Sequence, residues 1–456
     1  MLSHSSDTIV AQSTARGIGA IAVIRVSGSQ AIASVDAIFS RPAALCTAQA
    51  KTVLHGYIME DGKPVDEVLL CKFEQPNSYT GEDLVEISCH GSPFICEKII
   101  QLIVAQGCRI AEPGEFSRRA FINGKIDLLQ AEAIADLIQS QTARSLSQAL
   151  EHLQGQLSKR LQALRRQLLQ QCSLLEIELD FSEEEIFVNR TQLLADLNQV
   201  HSELSAMLDS FSYGRILREG ALIAVIGKPN VGKSSLMNAL LRMDRAIVSD
   251  MAGTTRDSLE ESLNIDGFLF RISDTAGLRN SADPVERLGI DRARQIMARA
   301  DIILLVVDGS AALSEEDEQI LQSCGDVDKS YLIVLNKQDL GLQPFSAANV
   351  FGYPVVAVSC HSGFGLHELE QRLKECVLLR KHEQQEVVID KVRHWHILSA
   401  ANTDLEHALE SLQNNRSPEF VALDLKSALY HIGELTGEVT SQEILNTIFA
   451  HYCIGK

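Results

Sequence analysis

The residues most able to do chemistry begin at 227–234, Gly-Lys-Pro-Asn-Val-Gly-Lys-Ser, the G-x-x-x-x-G-K-[ST] spacing of a phosphate loop. Each residue type has a task in that spacing. The glycines let the backbone close on an anion, and successive N–H groups with the next helix N-terminus cradle it. Lys233 can reach the β- and γ-phosphates, and the Ser234 hydroxyl can ligate Mg²⁺. An apolar run, ALIAVIG at 221–227, predicts a buried strand entering the loop. The segment SSLMNALLRM at 234–243 predicts a helix leaving it. A chance glycine-rich turn would lack both neighbours, so a nucleoside triphosphate is the expected ligand.

Four further segments follow in order. Asn336-Lys337-Gln338-Asp339 closes the apolar run YLIVLN at 331–336. The Asp339 carboxylate can accept from the ring N1–H and 2-amino group of guanine, a pair that adenine lacks. Asn336 and Lys337 would brace the base and the phosphate loop. Ser359-Cys360 ends the run PVVAVS at 354–359 and would touch the guanine O6. Asp274-Thr275-Ala276-Gly277 follows the strand-like FLFRIS at 268–273. There Asp274 can hold Mg²⁺ through water, and the Gly277 N–H can meet the γ-phosphate. Before it, Gly253-Thr254-Thr255-Arg256-Asp257 offers Thr255 as a second Mg²⁺ ligand. Together the segments predict a GTPase domain, with Asn230, Val231, Gly232, Lys233, Ser234 and Ser235 at the phosphates. Ser249, Asp250, Met251, Ala252, Gly253, Thr254 and Thr255 form the first switch of that expectation.

One position departs from the Ras-like pattern. After D-x-x-G, where a glutamine would orient the attacking water, stands Leu278. Help for hydrolysis must then come from elsewhere. Asn230 offers a side-chain carbonyl beside the β- and γ-phosphates; it either ligates a monovalent cation or caps the loop backbone. Glu286, in Asp283-Pro284-Val285-Glu286-Arg287, either positions water or is an ordinary helix N-terminal acid.

The elements that must position these residues read as three regions. Up to residue 120, TIVAQST at 8–14, IAVIRVSG at 21–28, DEVLLCKFE at 66–74 and DLVEISCHG at 83–91 look like strands, giving an α+β domain. From Leu128 a helical period runs through LLQAEAIADLIQSQTARSLSQAL, then QLSKRLQALRRQLLQQCSLLEIELDF, and again over 192–209. The segment SYGRILREG at 212–220 marks the passage into the GTPase domain, which ends near Arg380, and helical patterns return over 390–450. The fold class expected is multidomain α/β plus α. Its parts are an N-terminal α+β domain (1–120), a helical bundle in two pieces (121–217 and 381–456) and an inserted Ras-like G domain with a mixed six-stranded sheet (218–380). At 456 residues the length suits about three domains.

Composition narrows the class. No run of about 18 apolar residues occurs, so no membrane span is expected, and the N-terminus lacks a basic-then-apolar leader. Ten cysteines show no C-x-x-C pair and read as reduced thiols of a cytoplasmic protein. A formal net charge of −19 argues against a broadly cationic nucleic-acid surface. Lys159, Arg160, Arg165 and Arg166 are a candidate local patch, though composition favours a solvated helix face.

The chain resembles, over essentially its whole length, the bacterial MnmE (TrmE) family of tRNA modification GTPases. The resemblance lies in DTIVAQSTARGIGAIAVIRVSG near the N-terminus, SYTGEDLVEISCHGS at 78–92 and PGEFSRRAFINGKIDLLQAEAIADLI at 113–138. It extends through GKPNVGKSSLMNALL, IVSDMAGTTRD, DTAGLR and NKQD to the terminal Cys453-Ile454-Gly455-Lys456. The resemblance implies a homodimer whose N-terminal domain binds 5-formyl- or 5,10-methylene-tetrahydrofolate through Arg25, Glu86, Lys125 and Lys456, with Cys453 close by. It implies a heterotetramer with the FAD-bearing flavoprotein MnmG (GidA), acting on C5 of the tRNA wobble uridine. It also implies potassium activation, with Asn230, Ser249, Met251 and Thr254 as K⁺ ligands and Glu286, Lys233 and Thr255 in catalysis. ARGIGA at 15–20 and Ser249 depart from the family's usual glycine- and proline-rich turn and threonine. The alternative class is a GTP-regulated RNA or ribosome assembly factor without modification chemistry. Such proteins usually add a compact basic RNA-binding domain, which this acidic chain does not show.

Overall fold

The computed structural model describes residues 7–180, 189–243, 260–274, 296–312, 314, 317, 329–341, 352–381, 387–439, 441–450, 452 and 455. The chain divides into two compact units. One holds residues 1–135, 152–169 and 429–456; the other holds 136–151 and 170–428.

The first unit is built on a six-stranded sheet in the order β3-β4-β5-β2-β1-β6. The strands are β1 Ile9–Gln12, β2 Ile21–Ser27, β3 Val53–Glu60, β4 Lys63–Phe73, β5 Leu84–His90 and β6 Arg109–Ile110. All neighbours are antiparallel except β1 and β6, which run parallel. In β2, Ala22, Ile24 and Val26 alternate inward and pack with Val85, Ile87 and the helix Pro93–Ala105, the period-2 pattern of a sheet covered on one face. Strand β3 was not expected from its sequence: only Gly56 and Ile58 of its eight residues are buried, so it carries little hydrophobic signal.

The helical run from Leu128 is not one helix. It breaks into Leu128–Gln139 and Ala143–Leu153. Thr142 and Ser145 supply the physical cause. Ser145 N–H donates to Thr142 Oγ1 at 3.2 Å, and Thr142 N–H donates to Ser145 Oγ at 3.1 Å. This reciprocal cap starts the second helix. The segment at 212–220 is a helix too, Phe211–Glu219, stopped by Gly220 at φ +85°. An alanine there would meet Leu269.

In the second unit the helices Arg190–Asp209 and Val392–Gln413 pack together although the sheet-bearing segment lies between them in sequence. His201 Nε2 lies 3.2 Å from Glu406 across that contact. The second sheet has six strands in the order β12-β11-β10-β7-β9-β8. They are β7 Ala221–Ile226, β8 Glu260–Ile265, β9 Phe268–Asp274, β10 Ile302–Asp308, β11 Ser330–Asn336 and β12 Val355–Ala357. Only the β8–β9 pair is antiparallel, so the sheet is mixed. Every residue of β7 is buried, as a parallel strand covered on both faces must be. Ile223 and Val225 pack with Leu236 and Leu240 on one face, while Ala224 and Ile226 pack with Ile303 and Leu305 on the other.

The chain enters and leaves this sheet through one buried carboxylate. Asp301 accepts from Arg215 on the entry helix and from the Leu222 N–H at 2.9 Å. Arg380, beyond the helix Leu366–Leu378, donates to the Asp301 carbonyl and to Ser212 Oγ, each at 3.0 Å. Among the described residues no helix is long and apolar enough to cross a membrane.

Candidate functional site

The phosphate loop connects β7 to the helix Lys233–Met243. Gly227 takes φ +145°, and a Cβ there would lie 2.2 Å from the Val306 carbonyl oxygen. Gly232 takes φ +98°, and its Cβ would lie 2.1 Å from Asn336 Nδ2. Asn230 takes the left-handed φ of +65°, tolerable for asparagine. Ser234 and Ser235 are exposed at the helix start, with Val231 buried beneath them. Lys233 Nζ donates to the carbonyls of Gly227 at 2.8 Å and Lys228 at 2.5 Å. Its ammonium thus lies over the loop, where phosphate oxygens would compete for it.

The base-reading segment is tied to this loop. Asn336 ends β11 with its side chain buried. Its Nδ2 donates to the Val231 carbonyl at 2.9 Å, and its Oδ1 accepts from the Cys360 N–H at 3.3 Å. Lys337, at φ +67°, places Nζ 2.6 Å from Asp308 Oδ2 at the end of β10. Partial burial alone would raise the Asp308 carboxyl, but hydrogen bonds from Lys337 and Ser310 hold it below its ordinary value. Ser359 Oγ donates to Asp339 Oδ1 at 2.6 Å. That bond keeps the exposed Asp339 carboxyl below the usual carboxylate range, so it is an ionised acceptor at neutral pH. Burial pushes the Cys360 thiol up, leaving it protonated.

Strand register sets the third part. Val225 of β7 lies opposite Asp274, which ends β9, so Asp274 stands at the same sheet edge as the phosphate loop. Ser249, Asp250, Met251, Ala252, Gly253, Thr254, Thr255, Thr275, Ala276, Gly277, Leu278 and Glu286 lie outside the described residues.

A second cluster sits in the first unit. Arg25 on β2 is paired in register with Glu86 on β5, and Arg25 Nη2 lies 2.7 Å from Glu86 Oε1. The Arg25 guanidinium stands 4.9 Å from the Tyr79 ring centroid and 5.7 Å from that of Phe116, a cation over two π faces. Lys125 Nζ donates to the Pro76 carbonyl at 3.0 Å, and Asn123 Nδ2 donates to the Thr80 carbonyl at 2.7 Å. The loop between β4 and β5 therefore holds Lys125 at one point and covers Arg25 with Tyr79 at another. Gly455 reaches the same sheet. Its carbonyl accepts from Ser13 Oγ at 3.0 Å, and at φ +97° a Cβ would lie 2.2 Å from the Gln12 carbonyl oxygen. Gln12 follows Ala11, the register partner of Arg25. Cys453 and Lys456 lie outside the described residues.

Sequence reasoning missed Asp308, Tyr79 and Phe116. The Asp308-Gly309-Ser310 turn after the apolar run IILLVVD was the available signal for the first. The two aromatics had none, because their role depends on long-range packing.

The family described as MnmE helical domain matches residues 128–453, and that described as GTP-binding protein TrmE N-terminus matches residues 8–125. Three relatives described as tRNA modification GTPase MnmE align along nearly the whole chain. The one from Flavobacterium johnsoniae is 42% identical over 99% of this chain and 100% of its own. The Parabacteroides distasonis relative is 41% identical over 98% and 100%, and the Moorella thermoacetica relative 41% identical over 99% and 99%.

The cradle geometry predicts the effect of one methyl group. Gly232→Ala forces a left-handed alanine, costing about 1–2 kcal/mol, and breaks the Asn336–Val231 hydrogen bond, worth about 1 kcal/mol. The relaxed loop must regain its shape to bind. GDP affinity should therefore fall roughly 30- to 100-fold, at tenfold per 1.4 kcal/mol, and the melting transition should drop by a few degrees for the lost buried bond. A fluorescent GDP titration checks this, and affinity within twofold of the parent would refute the cradle.

Proposed function

The chain belongs to the MnmE family of tRNA modification GTPases, and from that premise we propose a potassium-activated GTPase that works with a flavoprotein partner, MnmG (GidA). Together they would install an aminomethyl or carboxymethylaminomethyl group on C5 of the tRNA wobble uridine, drawing the carbon from a tetrahydrofolate. In this reading the protein is a cytoplasmic homodimer, forms a heterotetramer with the FAD-bearing partner, and acts on tRNA. One observation carries it. The buried Asn336 amide joins the phosphate loop to the base-reading loop, in a chain that matches MnmE relatives from end to end.

The residues fit the nucleotide. Lys233 would exchange its loop carbonyls for β- and γ-phosphate oxygens, and Asp339, ionised and oriented by Ser359, would accept both guanine N–H donors. Asn336 keeps the two ends of the ligand at a fixed separation. The proposal extends to its metals. Exposed Ser234 at the helix start and Thr255 would hold Mg²⁺, and Asn230, exposed at the loop tip in a left-handed turn, would hold K⁺ with Ser249, Met251 and Thr254. When bound, these cations would offset charge developing on the phosphates. Glu286 would orient the attacking water that Leu278 cannot.

The Arg25 cluster fits a pterin. A pterin edge presents paired N–H donors much as guanine does, and Glu86, held by Arg25, offers the carboxylate that suits them. Lys125 and Lys456 would meet the ligand's anionic end. The docking of Gly455 beside Gln12 and Ser13 favours delivery of the tail to the site of its own chain. Cys453 would lie close enough to take part in transfer.

Turnover tests the cation reading. GTP hydrolysis should rise strongly in KCl over NaCl, because sodium is too small for a carbonyl cage sized for potassium. Asn230→Gly, which keeps the left-handed turn, should lower the potassium rate by about 10² or more, the range for one lost transition-state contact, while GDP binding holds. Equal rates in both salts would remove the potassium claim.

The tail is tested separately. Deleting 453–456 should weaken formyltetrahydrofolate binding and abolish tRNA modification, while GTP hydrolysis continues. Full modification by the truncated chain would show the tail to be dispensable.

A further inference from the structure

Lys228 carries the charged phosphate-loop side chain that the nucleotide reading does not use. Its Nζ lies 2.6 Å from Asp317 Oδ2, and the Asp317 side chain is only 4% exposed. The same ammonium donates to Ser314 Oγ. The backbone of Lys228 is held as well, since its carbonyl accepts from Lys233 Nζ at 2.5 Å. Residue 228 is thus fixed at two points in the nucleotide-free loop, and once Lys233 turns to phosphate the segment beyond β10 is the tie that remains. Two residues on, Asn230 stands exposed at the loop tip in a left-handed conformation.

We propose that Lys228 and Asp317 are a positioning pair, which holds the Pro229–Asn230 tip of the phosphate loop in the shape that GTP hydrolysis requires. This rests on the GTPase function assigned above. The pair also keeps the Lys228 charge turned away from the phosphates, leaving Lys233 to grip them alone.

A purely local role for Asp317 leaves Lys228 unexplained. Ser314 and Asp317 form a reciprocal cap. Ser314 N–H donates to Asp317 Oδ2 at 3.1 Å, and Asp317 N–H donates to Ser314 Oγ at 3.4 Å, the S-x-x-D form of a capping box. That cap is complete without a lysine. A buried carboxylate paired with an ammonium 89 positions earlier, inside a phosphate loop, ties two catalytic-edge segments of the sheet together. The Ser314–Asp317 cap beyond β10 therefore acts as an outer buttress for the loop that follows β7.

The test uses the full chain and four readouts: kcat and KM for GTP, the Kd of a fluorescent GDP analogue, and the melting temperature. Lys228→Ala leaves the Ser314–Asp317 cap intact, and Lys228→Met keeps the volume if the alanine variant melts early. Either should lower kcat roughly tenfold, a modest share of what misplacing a reacting group costs. KM and GDP affinity should stay within about threefold, the split that marks a transition-state effect. Lys228→Arg should restore most of the rate. Asp317→Asn keeps a capping acceptor, and should lower kcat like Lys228→Ala. The double variant should be no worse than either single one, because coupled partners are not additive.

Unchanged kcat in Lys228→Ala and Lys228→Met overturns the pair, as do additive losses in the double variant. A loss of GDP affinity with kcat preserved assigns Lys228 to ground-state binding and overturns it too. Parent protein that binds GDP without hydrolysing GTP refutes the GTPase function and this pair with it. An active parent with indifferent variants refutes the pair alone.

Discussion

Everything at the nucleotide edge of the second unit hangs on one buried amide. Asn336 donates to the phosphate-loop carbonyl of Val231 and accepts from the N–H of Cys360. A buried amide left half-satisfied costs about 1–3 kcal/mol, so both loops are drawn to it from opposite sides. The consequences spread outward. Residue 232 must be glycine, because a Cβ would occupy the place of the amide nitrogen. Cys360 and Ser359 are held near β11, so Ser359 can orient Asp339. Lys337 turns left-handed and finds Asp308 on the neighbouring strand.

The legible parts of the site were those written in contiguous residues. A phosphate loop and an N-K-x-D segment carry their hydrogen-bonding pattern locally, and the strands before them are short apolar runs. Parallel strands buried on both faces, such as β7 and β11, are easy to see for that reason. What was not legible depends on chain contacts at long range. Lys228 and Asp317 lie in separate segments and meet because β7 and β10 are neighbours. Tyr79 and Phe116 cover Arg25 from different segments. The break at Thr142 was hidden by an apolar period that continues across it, while the cap that makes the break is two polar side chains. The Phe211–Glu219 helix is short, and Arg215 within it matters through Asp301, far away in sequence.

The first unit repeats the logic of a charged group held by its surroundings. Arg25 is fixed by Glu86 across the sheet and by aromatic faces from above. In the same unit, Arg119 and the β6 residue Arg109 share the buried Glu115, with Asp7 bridging them from the N-terminal segment. Burial alone would raise the Glu115 carboxyl, but bonds from Arg109, the Glu112 N–H and Arg119 hold it below its ordinary value. The same helix, Glu115–Ile122, leads directly to Asn123 and Lys125. Its charge network therefore sets where the proposed folate-contacting lysine begins. The helix Gln442–Phe449 seats Leu445 and Phe449 against Leu128 and Ala131.

The claim that Asn336 couples base reading to phosphate binding has a direct measurement. Asn336→Asp keeps the shape but replaces the donor to Val231 with an acceptor, setting two oxygens against each other. The affinities of GDP and xanthosine diphosphate should be measured by titration in the parent, in Asn336→Asp and in Asp339→Asn. If the amide is the bridge, Asn336→Asp weakens both nucleotides by about the same factor, roughly tenfold or more for a lost and reversed buried bond. Asp339→Asn instead trades one nucleotide for the other. An Asn336→Asp protein that binds GDP as tightly as the parent, or that merely changes its base preference, would contradict the account.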